Sequence, residues 1–566
     1  MMKKVFALLL CLCMAVSSTA AFAEEDTHQL YRDKITRMAE SMRTYYDANG
    51  ESGKIEAYDE PITVNVVGAF SSAQQEAMSV FGEKYGESWD NTRWTELFRS
   101  LYNVNVHYNW WTSSDQYETK LRLEMASGDL PDIFYVQNQS DVLQLVEAEQ
   151  IWDLTDLYNT WGSDMDKRNW ESDGGLQLDT GSVDGRLYAL PAGLSDTDLF
   201  SYFWIRKDWL DALNLDYPKT MDDLKAVMDA FMAADFDGNG KADTIGIGLD
   251  KDLYYSLRGL FSAFGAYPEF WDKQGDQLVW GGTTEQTKKA LAFLADLYAQ
   301  GYLDPEFITK SNDDMLESVL NGKCGIVYGG HWLGHSWGKL HSLDPNANMV
   351  AVSLPKENAD AESVQQYLKP NVLSWLVVNK EFEHPEILFK MFAAADYAFS
   401  GSDADWWVYD ENVAWNFSPV YLLGNSWENL NAWRAIQECF KTGDTSGLAF
   451  NAIAYWGKLH GDSAYEWSLM FGDASKQEGI AMSVLSEAQN NNQLHYEPYY
   501  GPTTTYMQDH WSTIQSEQLI AFTKIIIGET SVEDGFNTWL ENFSKLGGDQ
   551  VTAEVNEWYA AKQSSK

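Results

Sequence analysis

Cysteine is nearly absent from this chain. Two of its four cysteines, Cys11 and Cys13, sit in an apolar run at the start, which leaves only Cys324 and Cys439 in the remaining sequence. One disulfide is the most that such a chain can form, so a disulfide-stapled scaffold is excluded and two separate buried thiols are expected. Positive charge is also scarce: 40 Lys and Arg face 84 Asp and Glu, a net charge of −44 at pH 7. Such a surface repels nucleic acid and anionic lipid, stays soluble and attracts divalent cations. No short internal repeat and no low-complexity linker interrupts the sequence. It contains no Gly-x-Ser-x-Gly elbow, no His-Glu-x-x-His and no phosphate-cradling glycine loop. Paired carboxylates stay open as a catalytic device, because so many acids supply many pairs and sequence carries no distances.

What is present begins with MMKKVFALLLCLCMAVSSTAAFA, followed abruptly by EED. Two lysines, an apolar run and Ala-Phe-Ala make a secretory signal over residues 1–23, cleaved after Ala23. Small residues near its end argue against a membrane-anchoring helix, and Cys11 and Cys13 both follow Leu, not the small residue that precedes a lipidated cysteine. Removing residues 1–23 takes away Lys3 and Lys4 and no acid, so the mature chain is more acidic still. A soluble exported protein is expected, in the periplasm or at the cell surface. The sequence is too long for a single core and predicts at least two lobes. Its 24 Trp, 30 Tyr and 26 Phe exceed ordinary usage. Most of these rings must be core, yet an excess of Trp in an exported protein also fits sugar recognition, since pyranose C–H faces stack on indole.

Residues 24–59 read as a polar helical segment, with Leu30, Ile35 and Met38 at helical spacing. Pro61-Ile-Thr-Val-Asn-Val-Val-Gly and Val104-Asn-Val-His-Tyr-Asn-Trp-Trp alternate as strands, and Asp132-Ile-Phe-Tyr-Val is a third, buried one. A helix over 117–126 separates the last two. This strand–helix–strand order predicts a parallel α/β sheet. The alternation recurs in Phe200-Ser-Tyr-Phe-Trp-Ile-Arg, in helices from Met221 and Glu285, and in the strands Gly325-Ile-Val-Tyr-Gly-Gly and Asn371-Val-Leu-Ser-Trp-Leu-Val-Val-Asn. Beyond about residue 380 the chain reads as mostly helical.

Trp110-Trp-Thr-Ser-Ser-Asp-Gln-Tyr-Glu-Thr-Lys-Leu, then Ala126-Ser-Gly-Asp-Leu-Pro-Asp-Ile-Phe-Tyr-Val, resembles the N-terminal signature of family 1 extracellular solute-binding proteins, the receptors of ATP-driven sugar importers. Asp184-Gly-Arg-Leu-Tyr-Ala-Leu-Pro, Leu297-Tyr-Ala-Gln-Gly-Tyr-Leu-Asp-Pro-Glu-Phe and the terminal Gly547-Gly-Asp-Gln-Val-Thr-Ala-Glu-Val-Asn-Glu-Trp-Tyr are similar to its later segments, in the same order. The resemblance runs from about residue 60 to the end, on the long, oligosaccharide-importing branch. It implies a two-lobe periplasmic-binding-protein-like α/β fold of class II, with hinge-connected lobes closing on a ligand in the cleft between them. By analogy the N-lobe takes 60–197 plus 350–430, and the C-lobe 198–349 plus 431–566. It further implies an oligosaccharide ligand, membrane permease partners, a monomer and no covalent chemistry. A secreted glycoside hydrolase and a non-transport surface lectin are the rival readings.

Asp235-Phe-Asp-Gly-Asn-Gly-Lys-Ala-Asp places Asp235, Asp237, Asn239 and Asp243 at the spacing of an EF-hand calcium loop, with Gly240 at the turn and Gly246 where a bidentate Glu would stand. The resemblance implies a structural calcium ion held by these four and the carbonyl of Lys241, although Thr244 replaces a Glu of the relatives. A metal-free turn is the alternative. His331-Trp-Leu-Gly-His335 has zinc-like spacing but no adjacent Glu, and Gly330 and Gly334 weaken a helix there.

For the ligand, strand ends nominate Ser71, Ser72, Trp110, Trp111, Gln137 and Asn138, because open α/β sheets bind at the carboxyl ends of their strands. Asp115, Asp196 and Asp198 are candidate acceptors of sugar hydroxyls. The resemblance adds Trp332, aligned with a sugar-stacking Trp of the maltose branch, and Trp511 before a long apolar helix. Trp406, Trp407, Tyr499 and Tyr500 complete the aromatic set. An anionic sugar would need local basic partners, with Arg206, Arg258 and Lys339 the available ones.

Overall fold

Valines on alternating positions make Ile62–Ala69 a strand whose Val64 and Val66 side chains are buried. The computed structural model describes residues 32–193, 195–400, 417–420, 425–448 and 450–564. The signal sequence, Trp406 and Trp407 therefore lie outside the described residues. The chain divides into two units, residues 1–194 with 372–425 and residues 195–371 with 426–566, and crosses from one to the other three times.

In the first unit, Ile62–Ala69 pairs in parallel with Val104–Thr112 on one side and with Ile133–Val136 on the other. Val372–Val378 adds antiparallel to Ile133–Val136, and Leu190–Gly193 closes the five-stranded sheet on its far side. The strands end in capped helices. Ser71 accepts the Gln74 N–H in a reciprocal capping box at the start of Ser72–Tyr85, which ties one orphan amide of the first turn. The segment predicted as a polar helix is helical over 32–48. It is not peripheral: Ile35, Met38, Met42 and Tyr46 are buried, and the Tyr46 hydroxyl donates to the Ala393 carbonyl at 2.8 Å.

The second unit departs from the parallel expectation. Its central sheet has three antiparallel strands, with Tyr202–Arg206 between Ile326–Gly329 and Met349–Val352. Met349–Val352 is thereby hydrogen-bonded into the second unit, so the return to the first comes at Val372 and not at residue 350. Phe203 and Ile205 face one core with Trp209, Phe231 and Leu294, while Tyr202 and Trp204 face another with Trp337, Leu469 and Phe471. Period-two alternation on a sheet covered on both faces explains the two cores. Cys324 and Cys439 are buried and free. Among the described residues, no helix is long and apolar enough to cross a membrane.

Candidate functional site

The carboxyl ends of the first-unit strands carry an aromatic cluster. Phe70 stacks on Trp89 at 4.0 Å between ring centroids, and Trp89 lies 4.9 Å from Trp111. Trp111 is 41% exposed. Its neighbour Trp110 points to the other side of the strand, donates to Glu124 and carries Lys120 over its ring at 4.2 Å. The alternation thus separates the two indoles, and Trp111 is the one left on the surface. Trp89 was not singled out by sequence reasoning. It sits in a turn without periodicity, and only its stack on Phe70 reveals it.

Other first-unit candidates are occupied locally. Ser71 is the helix cap already described, and Ser72 is the first residue of that helix. Asn138 precedes the helix Gln139–Glu147 and donates to Glu118 at 2.8 Å. Gln137 is exposed beside it, and Asp115 lies in the first turn of Ser114–Ser127.

In the second unit the chain leaves Ile326–Gly329 through Gly330 into the short helical turn His331–Leu333. Trp332 is 37% exposed and folds back over Gly330, where a Cβ would stand only 2.4 Å from the indole. His331 is 6.1 Å from Phe471 and 6.4 Å from Tyr202, centroid to centroid. Phe471 packs on Tyr455 at 4.4 Å, and the Tyr455 hydroxyl donates to Asn429 at 2.9 Å. Asn429 in turn donates to Asp198 at 3.3 Å. Beside it Glu428 accepts from Asn451. Burial lifts the Glu428 carboxyl to about 8, aided by the Asp198 charge. Burial likewise lifts Asp198 to about 6, against the hydrogen bond from Asn429. Among the described residues, neither acid forms an ion pair with a lysine or arginine. Burial, followed by the charge of His335, lowers His331 to about 4. His335 instead meets Glu466 at 3.2 Å, so the two imidazoles are engaged separately and give no zinc site.

Four predicted contacts are taken up by the fold. Asp196 is fully buried and accepts from the Asn371 N–H and the Tyr496 hydroxyl, both at 2.8 Å, so it ties loops together instead of facing solvent. Trp511 lies within the helix Thr505–Ile526, stacked on Trp271 at 5.8 Å and edge-on to Trp280 at 4.6 Å. Tyr499 and Tyr500 pack edge-on against Trp558 at 4.9 and 5.1 Å. Two of the three proposed basic partners are engaged as well. Arg206 pairs with Asp208, and Arg258 pairs with Glu269 while donating to the Leu199 carbonyl. Lys339 is exposed on the helix Gly334–Leu343.

The 235–243 loop is closed by its own polar groups. Asp235 accepts from the Gly240 N–H at 2.8 Å, and the Asn239 amide donates to Asp237 and Asp243. Lys241 donates its N–H to Asn239, and Lys323 reaches Asp243 at 2.7 Å. Gly238 and Gly240 both have positive φ, which the sharp turn requires. Gly246 donates to the Tyr302 carbonyl, and a Cβ there would meet Tyr302 at 3.0 Å. Position twelve is thus a closely packed glycine that offers no carboxylate, so the loop is not a full EF-hand. The oxygen donors fit a hard cation, but among the described residues no group of three or more His, Cys, Asp or Glu gathers as a metal centre.

Residues 88–395, more than half of the chain, match the family of bacterial extracellular solute-binding proteins. The chain belongs to that family. It is a family of binding proteins, not of enzymes. The polygalacturonan/rhamnogalacturonan-binding protein YtcQ of Bacillus subtilis is 31% identical over 226 residues, 39% of this chain and 43% of that protein. The chain spans less than half the length of the curated relatives it matches. Among solved structures, an HMO-binding, ABC-transporter-associated solute-binding protein from Bifidobacterium longum infantis superposes with a TM-score of 0.61 at 15% identity, over 88% of this chain and 98% of that one. The Streptococcus pneumoniae ABC-transporter substrate-binding protein FusA, an EF-hand mutant in complex with fructo-nystose, gives 0.53 at 17% identity, over 89% and 100%. These establish the α/β solute-binding fold for this family member.

Proposed function

We propose that this protein is the exported receptor of an ATP-driven carbohydrate importer, which binds an oligosaccharide by hinge closure and delivers it to membrane permease subunits without covalent chemistry. The observation that carries this reading is Trp332, an exposed indole seated on a glycine in the same unit as the half-buried Asp198 and Asn429, in a chain of the solute-binding family. An indole offers a face to a pyranose ring, and carboxylate and amide oxygens accept from its hydroxyls. Trp111, in the first unit, is also an exposed indole. Export through cleavage after Ala23 follows the leader sequence, and the 235–243 loop is assigned a structural calcium ion in keeping with its oxygen donors. When bound, that ion would cross-link the loop, held by Asp235, Asp237, Asn239, Asp243 and the Lys241 carbonyl.

A thermal-shift screen of the mature protein against an oligosaccharide library tests the reading, followed by chromatography of the recovered sugar. Stabilisation by an oligosaccharide returned intact is the expected result. Release of reducing ends would overturn it in favour of hydrolysis, and no binding to any oligosaccharide would overturn receptor and lectin alike.

A further inference from the structure

Trp89 stands at the tip of a tied turn in the first unit. Ser88 and Asn91 exchange both backbone hydrogen bonds, at 3.2 and 2.9 Å, with Trp89 and Asp90 between them. Asp90 latches this turn to the strand Val104–Thr112. It accepts the Tyr108 N–H at 2.8 Å and meets His107 Nδ1 at 3.0 Å. Behind the tip, the buried Glu87–Arg93 pair at 2.9 Å and the Thr92 cap of the helix Arg93–Tyr102 hold the two stems. The strand is itself re-aimed to meet the turn. Its register against Ile62–Ala69 slips after Val66 and Tyr108, so that Val67 faces Trp110 and Asn109 is the extra residue. Such a bulge reverses the side that the following residues take. Tyr108 and Trp111 therefore share the side of Phe70, at 5.8 and 6.3 Å between centroids, while Trp110 turns away to Tyr117.

These rings define one surface. Phe70 lies against one face of Trp89 at 4.0 Å, with an interplanar angle of 23°. The separations of 4.0, 4.9 and 6.3 Å among Phe70, Trp89 and Trp111 make a nearly right angle at Trp89. Trp111 thus stands beside Trp89 and not over its second face, and Phe417, at 5.9 Å, flanks it in the same way. Among the described residues no ring covers that second face. Trp89 is half-buried, and Trp111 is the more exposed of the two.

From this we infer that Trp89 and Trp111 form a two-indole platform on which neighbouring rings of one sugar chain stack, with Asp90 as the positioning residue that holds Trp89 in place. Each indole offers an apolar surface to the C–H face of a sugar ring. Two indoles side by side suit consecutive units of a chain, where one would serve a single unit. Fixing Trp89 before the ligand arrives removes the ordering cost that a ring on a mobile loop would carry. The inference rests on the oligosaccharide-receptor reading and adds to it a residue and its support.

The test uses the full mature protein, with xylotetraose, galactotetraose, tetragalacturonate and kestose as probes in calorimetry. The tightest of them is then titrated into the variants. Trp89→Leu should weaken it about tenfold, the scale of a lost aromatic anchor. Asp90→Ala should weaken it several-fold, and Asp90→Asn should restore it, because the amide oxygen still accepts the Tyr108 N–H. In the wild type the bound probe should shield both indoles from oxidation by N-bromosuccinimide, mapped by peptide mass spectrometry. This arm needs no variant and stands even if Trp89→Leu fails to fold. Undiminished binding by a folded Trp89→Leu, or oxidation of Trp89 as fast with probe as without, overturns the inference but leaves the receptor reading in place. Full affinity in Asp90→Ala, or no recovery in Asp90→Asn, overturns the positioning role of Asp90. Binding of no probe overturns the receptor reading and the inference together.

Discussion

Two tryptophans that look alike in sequence behave as opposites in the fold. Trp332 stands on Gly330 with over a third of its surface exposed, whereas Trp511 is wedged against Trp271 and Trp280. Trp332→Ala should weaken oligosaccharide binding by about 2 kcal/mol, the scale of an aromatic anchor, and leave the melting temperature of the free protein nearly unchanged. Trp511→Ala should do the reverse, costing about 3 kcal/mol of stability through the cavity it opens. Gly330→Ala gives an independent check. Its Cβ would collide with the indole of Trp332, the movable end of a side chain, so binding should fall while the backbone, at ordinary φ, tolerates the change. Calorimetric unfolding and ligand titration on all three variants decide the matter. Normal binding by Trp332→Ala would remove this indole from the site.

At the scale of the element, the 235–243 loop shows how a motif can be present in composition and altered in context. Its acids are held ready by backbone N–H groups, which keep Asp235 below the usual carboxylate range. Lys323, from the turn between the helix Asn312–Leu320 and the strand Ile326–Gly329, lowers Asp243 in the same direction. That ammonium competes with any cation for the same oxygen. Removing calcium with a chelator should therefore lower the melting temperature of the mature protein, and adding it back should restore it, because a ligand bound only by the native state stabilises by mass action. Lys323→Met should tighten calcium several-fold, read by titration with a calcium indicator. A melting temperature indifferent to both chelator and calcium would dismiss the ion.

Across the whole molecule, acids buried in the native state set the response to pH. Glu497 is 7% exposed, accepts the Trp271 N–H at 2.7 Å, and burial lifts it to about 8 from an ordinary 4.5. Its folded form therefore holds a proton that the unfolded chain has lost. This contribution to stability is complete below pH 4.5 and disappears as pH rises through 8. Glu428, Asp198 and the buried Asp166, lifted to about 6, act in the same sense. His331 acts oppositely, with stability lost as pH falls from 6.5 through 4. The melting temperature should thus decline from pH 6 to pH 9, and Glu497→Gln, which keeps an acceptor for Trp271, should flatten that decline. An unchanged slope would show that Glu497 is ionised in the fold. The sequence by itself determined the α/β alternation, the strands at 62–69, 104–112 and 372–378, the glycine turn that carries Trp332 and the family, because these depend on local periodicity and short motifs. Only the tertiary structure decided which acids and rings are buried and which are exposed. Asp196 is withdrawn by partners 175 and 300 residues away, while Glu428 and Asp198, from distant segments, become neighbours. Burial is a property of long-range packing, and no local pattern in a chain so rich in acids and aromatics encodes which side of a core each one will face.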